Sequence, residues 1–184
     1  MDVLFWNFLL FGFLGFVLEV LYARLTHGPK RDRKCHLVLP VCPVYGLGAL
    51  AILALAHWLR PGPVALFVLG GLAATASEWV MGLFYERAGR CSFWDYRSLP
   101  CNLGGRVCLL FSGAWGVLAL VLVYAAAPHL AFLGRIPLPV TAAVLLCYLW
   151  DAAASLVLLR RGGTPALRWY DRVFTASSAQ KASR

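Results

Sequence analysis

Five apolar runs, at residues 3–23, 38–59, 63–85, 107–127 and 138–159, are each long enough to cross a hydrocarbon core about 30 Å thick as a helix. Such repetition leaves little choice of fold, because a chain in lipid must satisfy its own backbone polar groups. The expectation is an all-α, polytopic integral membrane bundle of about five transmembrane helices. Composition agrees: 61% of the 184 residues are hydrophobic, 14% are charged and the mean hydropathy is +0.73, outside the range of soluble domains. Asp2 stands where a cleavable signal peptide carries basic residues, and no small-residue cleavage pattern follows, so the first run is expected to remain as a span. Residues 1–161 read as a single transmembrane domain. Residues 162–184 read as a cytoplasmic tail, with LRWYDRVF (167–174) as a short interfacial helix and the end partly disordered.

Orientation follows from the 17 Lys and Arg residues, because cytoplasmic loops retain them. Fifteen fall between runs one and two, between runs three and four, or after run five. Arg60 and Arg135 alone occupy the other two connections. This predicts a multi-pass protein with its N-terminus outside and its C-terminus in the cytoplasm. The net charge of +9 is accounted for by topology and by attraction to anionic headgroups, so no nucleic acid partner is expected.

Three acids lie inside the apolar runs: Glu19, Glu78 and Asp151. A carboxylate at a helix centre costs about 2.5–3.5 kcal/mol on insertion scales, so none is expected to face lipid unpaired. Runs one, three and five share a direction, which places all three acids in their inner halves. Arg106 opens run four from that side, and PVCPVYG (40–46) opens run two there with helix-interrupting prolines and a glycine. Gly12 and Gly15 precede Glu19 at helical spacing. Gly71, Thr75, Glu78 and Gly82 form a stripe of mostly small residues, and Cys147, Asp151 and Ser155 share a face. Two readings stay open: the acids pair with Arg106, Arg97 or Tyr45 to hold the bundle together, or they build a substrate or ion pocket. Glu78 and Arg106 are expected to lie close enough to pair.

Between runs three and four, CSFWDYRSLPCNLGGRVCL (91–109) concentrates polar chemistry where the chain is about to re-enter lipid. It reads as a re-entrant or interfacial loop, with Trp94 and Tyr96 at headgroup depth, Asp95 and Arg106 supplying charge to the pocket, and a glycine pair allowing close backbone approach. A purely structural loop fits as well. The six cysteines contain no C-x-x-C pair, and Cys35, Cys42, Cys91 and Cys101 fall on inner loops where thiols stay reduced. The four histidines are scattered. No disulfide framework, metal centre or cofactor is expected, and no P-loop, G-x-S-x-G or H-E-x-x-H signature marks an enzyme.

The order of these segments over about residues 5–125 resembles a bacterial membrane-protein family described as putative ABC-transporter type IV, or ABC transporter permease. FLLFGFLGFVLEVLY, LPVCPVYGLGAL, SEWVMGLFYER and WDYRSLPCNLGGRVCLLFSGAWG carry the resemblance. The first inner loop departs from it: RDRKCHLVLP stands where the family has an Arg-Gly-Phe-like run. Position by position, the resemblance marks Glu19, Tyr45, Glu78, Asp95, Tyr96, Asn102 and Arg106 as pocket residues. It marks Pro43, Gly46, Trp94, Gly105 and Trp115 as the structural motif. It implies a multi-pass, permease-like component of a transporter in the bacterial cell membrane, working with a separate ATPase subunit or as a homo-oligomer. The alternative is a membrane-embedded enzyme or lipid-handling protein acting on a phosphate-bearing headgroup.

Overall fold

The computed structural model describes residues 2–26 and 35–167. The tail expected beyond residue 167 and the basic part of the first inner loop lie outside the described residues. Five α-helices account for the apolar runs: α1 (Asp2–Leu25), α2 (Pro43–Leu59), α3 (Pro63–Phe84), α4 (Leu109–Leu120) and α5 (Leu138–Gly162). The fold is an all-α polytopic bundle. The helical segments Asp2–Leu25, Pro63–Gly89, Leu109–Arg135 and Leu138–Gly162 are long and apolar enough to cross a membrane, while α2, with 17 residues, is shorter.

The starts and stops follow from local chemistry. Helices α2 and α3 each open on a proline in the first turn, where its missing N–H is not needed. The apolar run at 38–59 becomes helical only from Pro43; the residues before it are irregular, and the Cys42 amide donates to the Gly12 carbonyl of α1 at 2.9 Å. A π-helical turn, Tyr85–Gly89, prolongs α3 and ends at Arg90 with φ 55°. Another, Val121–Ala126, prolongs α4 and leads into a 3-10 stretch, Ala127–Arg135. A two-stranded antiparallel hairpin, β1 (Asn102–Leu103) with β2 (Val107–Cys108), stands immediately before α4.

Packing runs in chain order, α1 on α2, α2 on α3 and α3 on α4. Small residues make the close crossings possible, as expected where lipid removes the hydrophobic drive between helices. A Cβ at Gly46 would stand 2.6 Å from the Phe8 carbonyl oxygen of α1, and one at Gly71 would stand 3.2 Å from the Gly116 backbone of α4. Ile52, Leu66, Ala74 and Ala119 fill the centre, and apolar side chains such as Leu4, Val64, Leu110 and Leu146 remain exposed for lipid.

Helix α5 meets α1 and the turn at residues 85–89. The Trp6 indole donates to the Thr141 hydroxyl at 3.0 Å. Near the other end, Asp151, 1% exposed, accepts from the backbone amides of Val38 at 3.0 Å and Leu39 at 2.8 Å. The Ser155 hydroxyl accepts from the Leu37 amide at 2.8 Å and donates to the Asp151 carbonyl. His36 Nδ1 lies 3.7 Å from the same carboxylate. Burial pushes the His36 imidazole below its ordinary range despite that carboxylate. The third intramembrane acid is thus committed to holding irregular backbone against α5. Asp151 and Ser155 face inward, but Cys147 is exposed. Each four-residue step turns about 40° around a helix, enough to carry a stripe out of a narrow contact.

Candidate functional site

Helices α1 and α3 end at the same side of the bundle from which α2 and α4 begin, so their terminal thirds meet at one depth. There the Tyr45 hydroxyl of α2 donates to Glu19 Oε1 of α1 at 2.8 Å. Glu78 of α3, 5% exposed, accepts from the Trp115 indole of α4 at Oε2 and from the Tyr96 hydroxyl at Oε1, both at 2.9 Å. The Tyr45 and Trp115 rings, with centroids 4.9 Å apart, join the two carboxylate systems. The two donors to Glu78 and the Tyr45 donor to Glu19 are neutral groups that orient the carboxylates.

These groups line one cavity of about 570 Å³. Glu19, Tyr45, Glu78, Trp94, Tyr96 and Trp115 supply its polar and aromatic wall. Leu18 and Tyr22 of α1 and Ala114 and Val117 of α4, all exposed, border it. None of the described lining residues is Lys or Arg. Cys35 and Cys42 also line it, with sulfurs 3.5 Å apart and both residues buried. Their sequence separation of seven gave no hint of this proximity.

The loop before α4 serves to deliver Tyr96. The Tyr96 amide donates to the Gly105 carbonyl at 2.8 Å, and its ring stacks on Phe111 at 4.8 Å. The Trp94 indole donates to the Arg106 carbonyl at 2.8 Å. Both aromatics therefore give their polar hydrogens to protein acceptors. Asn102 ties the loop: its Oδ1 accepts from the Gly105 amide at 3.1 Å, and its Nδ2 donates to the Leu99 carbonyl at 2.8 Å. Gly105 has φ +74°, and a Cβ there would meet the Asp95 carboxylate and the Arg97 stem at 2.7 Å. Only glycine fits both demands.

The structure thus brings four of the seven expected pocket residues, Glu19, Tyr45, Glu78 and Tyr96, to one cavity, and Trp94 and Trp115 of the structural motif join them. Asp95, Asn102 and Arg106 are not among its lining residues. Asp95 is exposed and accepts from the Arg97 amide at 3.0 Å within a turn, the local bonding short acidic side chains favour. Arg106 does not take the expected bond to Glu78. Its guanidinium donates twice to Glu86, lies 5.7 Å from the Trp79 ring and rests its stem over Gly82. Pro43 opens α2, and Gly46 makes the crossing with α1.

The segments that build this cavity come in the order and with the residues that mark the family resemblance, and the resemblance extends beyond them. The family described as putative ABC-transporter type IV matches residues 6–157. The chain belongs to this family. The type IV match takes in all of α2, α3 and α4 and most of α1 and α5, so it includes the Asp151 and Ser155 clasp as well as the cavity. No match was found among curated proteins or among solved structures. With its apolar helices, the type IV chain is a multi-pass membrane protein of ABC-transporter type.

Proposed function

We propose that this chain is the permease-like membrane component of a transporter in the bacterial plasma membrane, with five spans, and that the cavity lined by Glu19 and Glu78 is its substrate pocket. One observation carries the reading: carboxylates from two different helices line a single cavity inside the bundle, each oriented by an aromatic hydrogen-bond donor. Intramembrane acids cost too much to keep without a use. A structural role accounts for Asp151, whose oxygens receive backbone amides, but leaves no reason for two acids to border open volume.

The chemistry of Glu78 supplies a clean test. Glutamine can turn its carbonyl oxygen toward the Trp115 indole, which only donates, and its amide toward the Tyr96 hydroxyl, which can also accept. Glu78→Gln therefore removes charge while both neighbours stay bonded. It is expected to leave the unfolding midpoint in mild detergent close to wild type and to lower transport into proteoliposomes about tenfold or more. Unchanged transport would remove Glu78 from the pocket. The connection from Arg87 to Arg106 is the proposed surface for a separate ATPase subunit, and purification in mild detergent should recover one whose ATP hydrolysis depends on this chain. The reading of an enzyme acting on a phosphate-bearing headgroup has less support, because Arg106 is held by Glu86 and no described lining residue is basic.

The proposed orientation puts the cavity at the cytoplasmic end. Single cysteines at positions 60 and 135, in a background without the native six, are expected to react with an impermeant maleimide from outside the cell, and one at position 97 only after permeabilisation. The reverse pattern would move the cavity to the outer face.

A further inference from the structure

A second cavity, of about 390 Å³, is lined by Phe8 of α1, Leu47 of α2, Met81 and Phe84 of α3, and Tyr148 and Ala153 of α5, among others. Cys35 lines both this cavity and the acid-lined one, and its sulfur stands 3.5 Å from that of Cys42. A buried dithiol therefore borders the two volumes. Leu47, Phe84 and Ala153 are exposed, so the second cavity opens toward the lipid-facing surface. His36 also lines it. That residue is 3% exposed, and neither of its ring nitrogens has a hydrogen-bond partner. Asp151 lies 3.7 Å from Nδ1, beyond hydrogen-bond reach, and already receives two backbone amides. Buried polar groups are normally bonded, so an unpartnered imidazole at a cavity wall is a place for a ligand's oxygen.

We propose that the second cavity binds a membrane-dissolved quinone, with one carbonyl oxygen on the His36 imidazole, and that Cys35 and Cys42 reduce it as they close to a disulfide. This goes beyond the transporter reading and does not depend on it. The ligand has to arrive from lipid, pack among the Phe8, Phe84 and Tyr148 rings and offer an oxygen to His36. Burial favours the neutral imidazole, in which one nitrogen donates and the other accepts. It can therefore donate to a quinone carbonyl and, in its other tautomer, accept from a quinol hydroxyl. A fatty alcohol would satisfy the imidazole as well, but it has no use for the dithiol. The step balances: two S–H bonds break and one S–S bond forms, while two electrons and two protons pass to the quinone and turn both carbonyl oxygens into hydroxyls. The sulfurs must close from 3.5 Å to about 2.0 Å, and the backbone from Cys35 to Cys42 is irregular, which leaves it free to adjust. Two small thiols reset the pair by exchange, leaving as a disulfide and returning two protons to Cys35 and Cys42. A transient, catalytic disulfide is the kind that a reducing compartment permits.

The test takes the full chain, reduced and free of oxygen, in phosphatidylcholine nanodiscs and adds ubiquinone-1, whose ring has no open carbon for thiol addition. Quinol is followed by absorbance, and the Cys35–Cys42 link by mass spectrometry of the digested protein. Both products are expected at about one per chain, and Cys42→Ser should abolish both. His36→Phe, which removes the imidazole, should slow quinol formation about tenfold or more at low quinone. Ala153→Trp, which fills the cavity from an exposed position, should do the same. Diamide, a small soluble thiol oxidant with no need of the quinone site, should form the disulfide in both variants as fast as in wild type, which separates loss of quinone binding from loss of fold. Slowing by quinone in either variant, with the diamide rate unchanged, supports the proposal. Quinol formation undiminished in Cys42→Ser, wild-type quinone rates in both cavity variants, or a pair that diamide closes and ubiquinone-1 does not would overturn it. So would a pair that neither oxidant closes.

Discussion

Asp151→Ala is expected to destabilise the folded bundle by roughly 3–5 kcal/mol, read as a large drop in the unfolding midpoint in mild detergent. The carboxylate receives the Val38 and Leu39 amides, and nothing else in the described structure is bonded to those two donors. Alanine strands both in a region where Cys35, His36, Val41 and Cys42 are buried, and each unmet buried donor costs about 1–3 kcal/mol. The Ser155 hydroxyl would still hold the Leu37 amide, which keeps the segment near α5 without repairing the loss. Asp151→Asn should fall between, since its single carbonyl oxygen can accept from one of the two amides while its amino group faces the other. An alanine variant as stable as wild type would mean that the 35–42 segment is held by other contacts.

Gly46→Val is expected to be nearly as damaging. Its Cβ would stand 2.6 Å from both the carbonyl oxygen and a ring carbon of Phe8. The ring can rotate away, but the carbonyl belongs to the α1 backbone, so α1 and α2 must separate. Overpacking of this kind costs about 1–3 kcal/mol, and a β-branched side chain belongs at the upper end. Separation also stretches the 2.8 Å bond from Tyr45 to Glu19, because Tyr45 and Gly46 are neighbours on α2. Stability and pocket geometry should fail together. Gly62→Ala is the matched control: a Cβ there meets nothing within 4 Å, so its unfolding midpoint should stay near wild type. Equal effects of the two substitutions would show that helix spacing is not what Gly46 provides.

What the sequence revealed and what it concealed divide along physical lines. Hydropathy runs and the direction of each span set depth, and depth alone brings Glu19, Tyr45 and Glu78 toward one end. The family pattern then singled out Tyr96 and Trp115, the two donors to Glu78. Partner choice was less legible. Arg106 lies at the expected end of α4, but Glu86 reaches it from the π-helical turn at Tyr85–Gly89, which alters the facing of those residues without a signature in the hydropathy pattern. The partners of Asp151 are backbone amides, which every residue but proline carries, so no side-chain pattern could name them. Pro40 and Pro43 did indicate irregular backbone, read there as freed carbonyls in need of partners. Asp95 was read as a pocket charge because of its neighbours, although an aspartate in a turn commonly bonds its own backbone, as it does here.

The clasp at Asp151 also bears on how the chain is made. Its two amides come from residues 112 and 113 positions earlier, so they leave the ribosome and reach the bilayer long before their acceptor is synthesised. A nascent chain that stops after α4 holds donors with no partner, and it lacks the helix that covers them. Arrival of α5 removes that exposed polarity in one step.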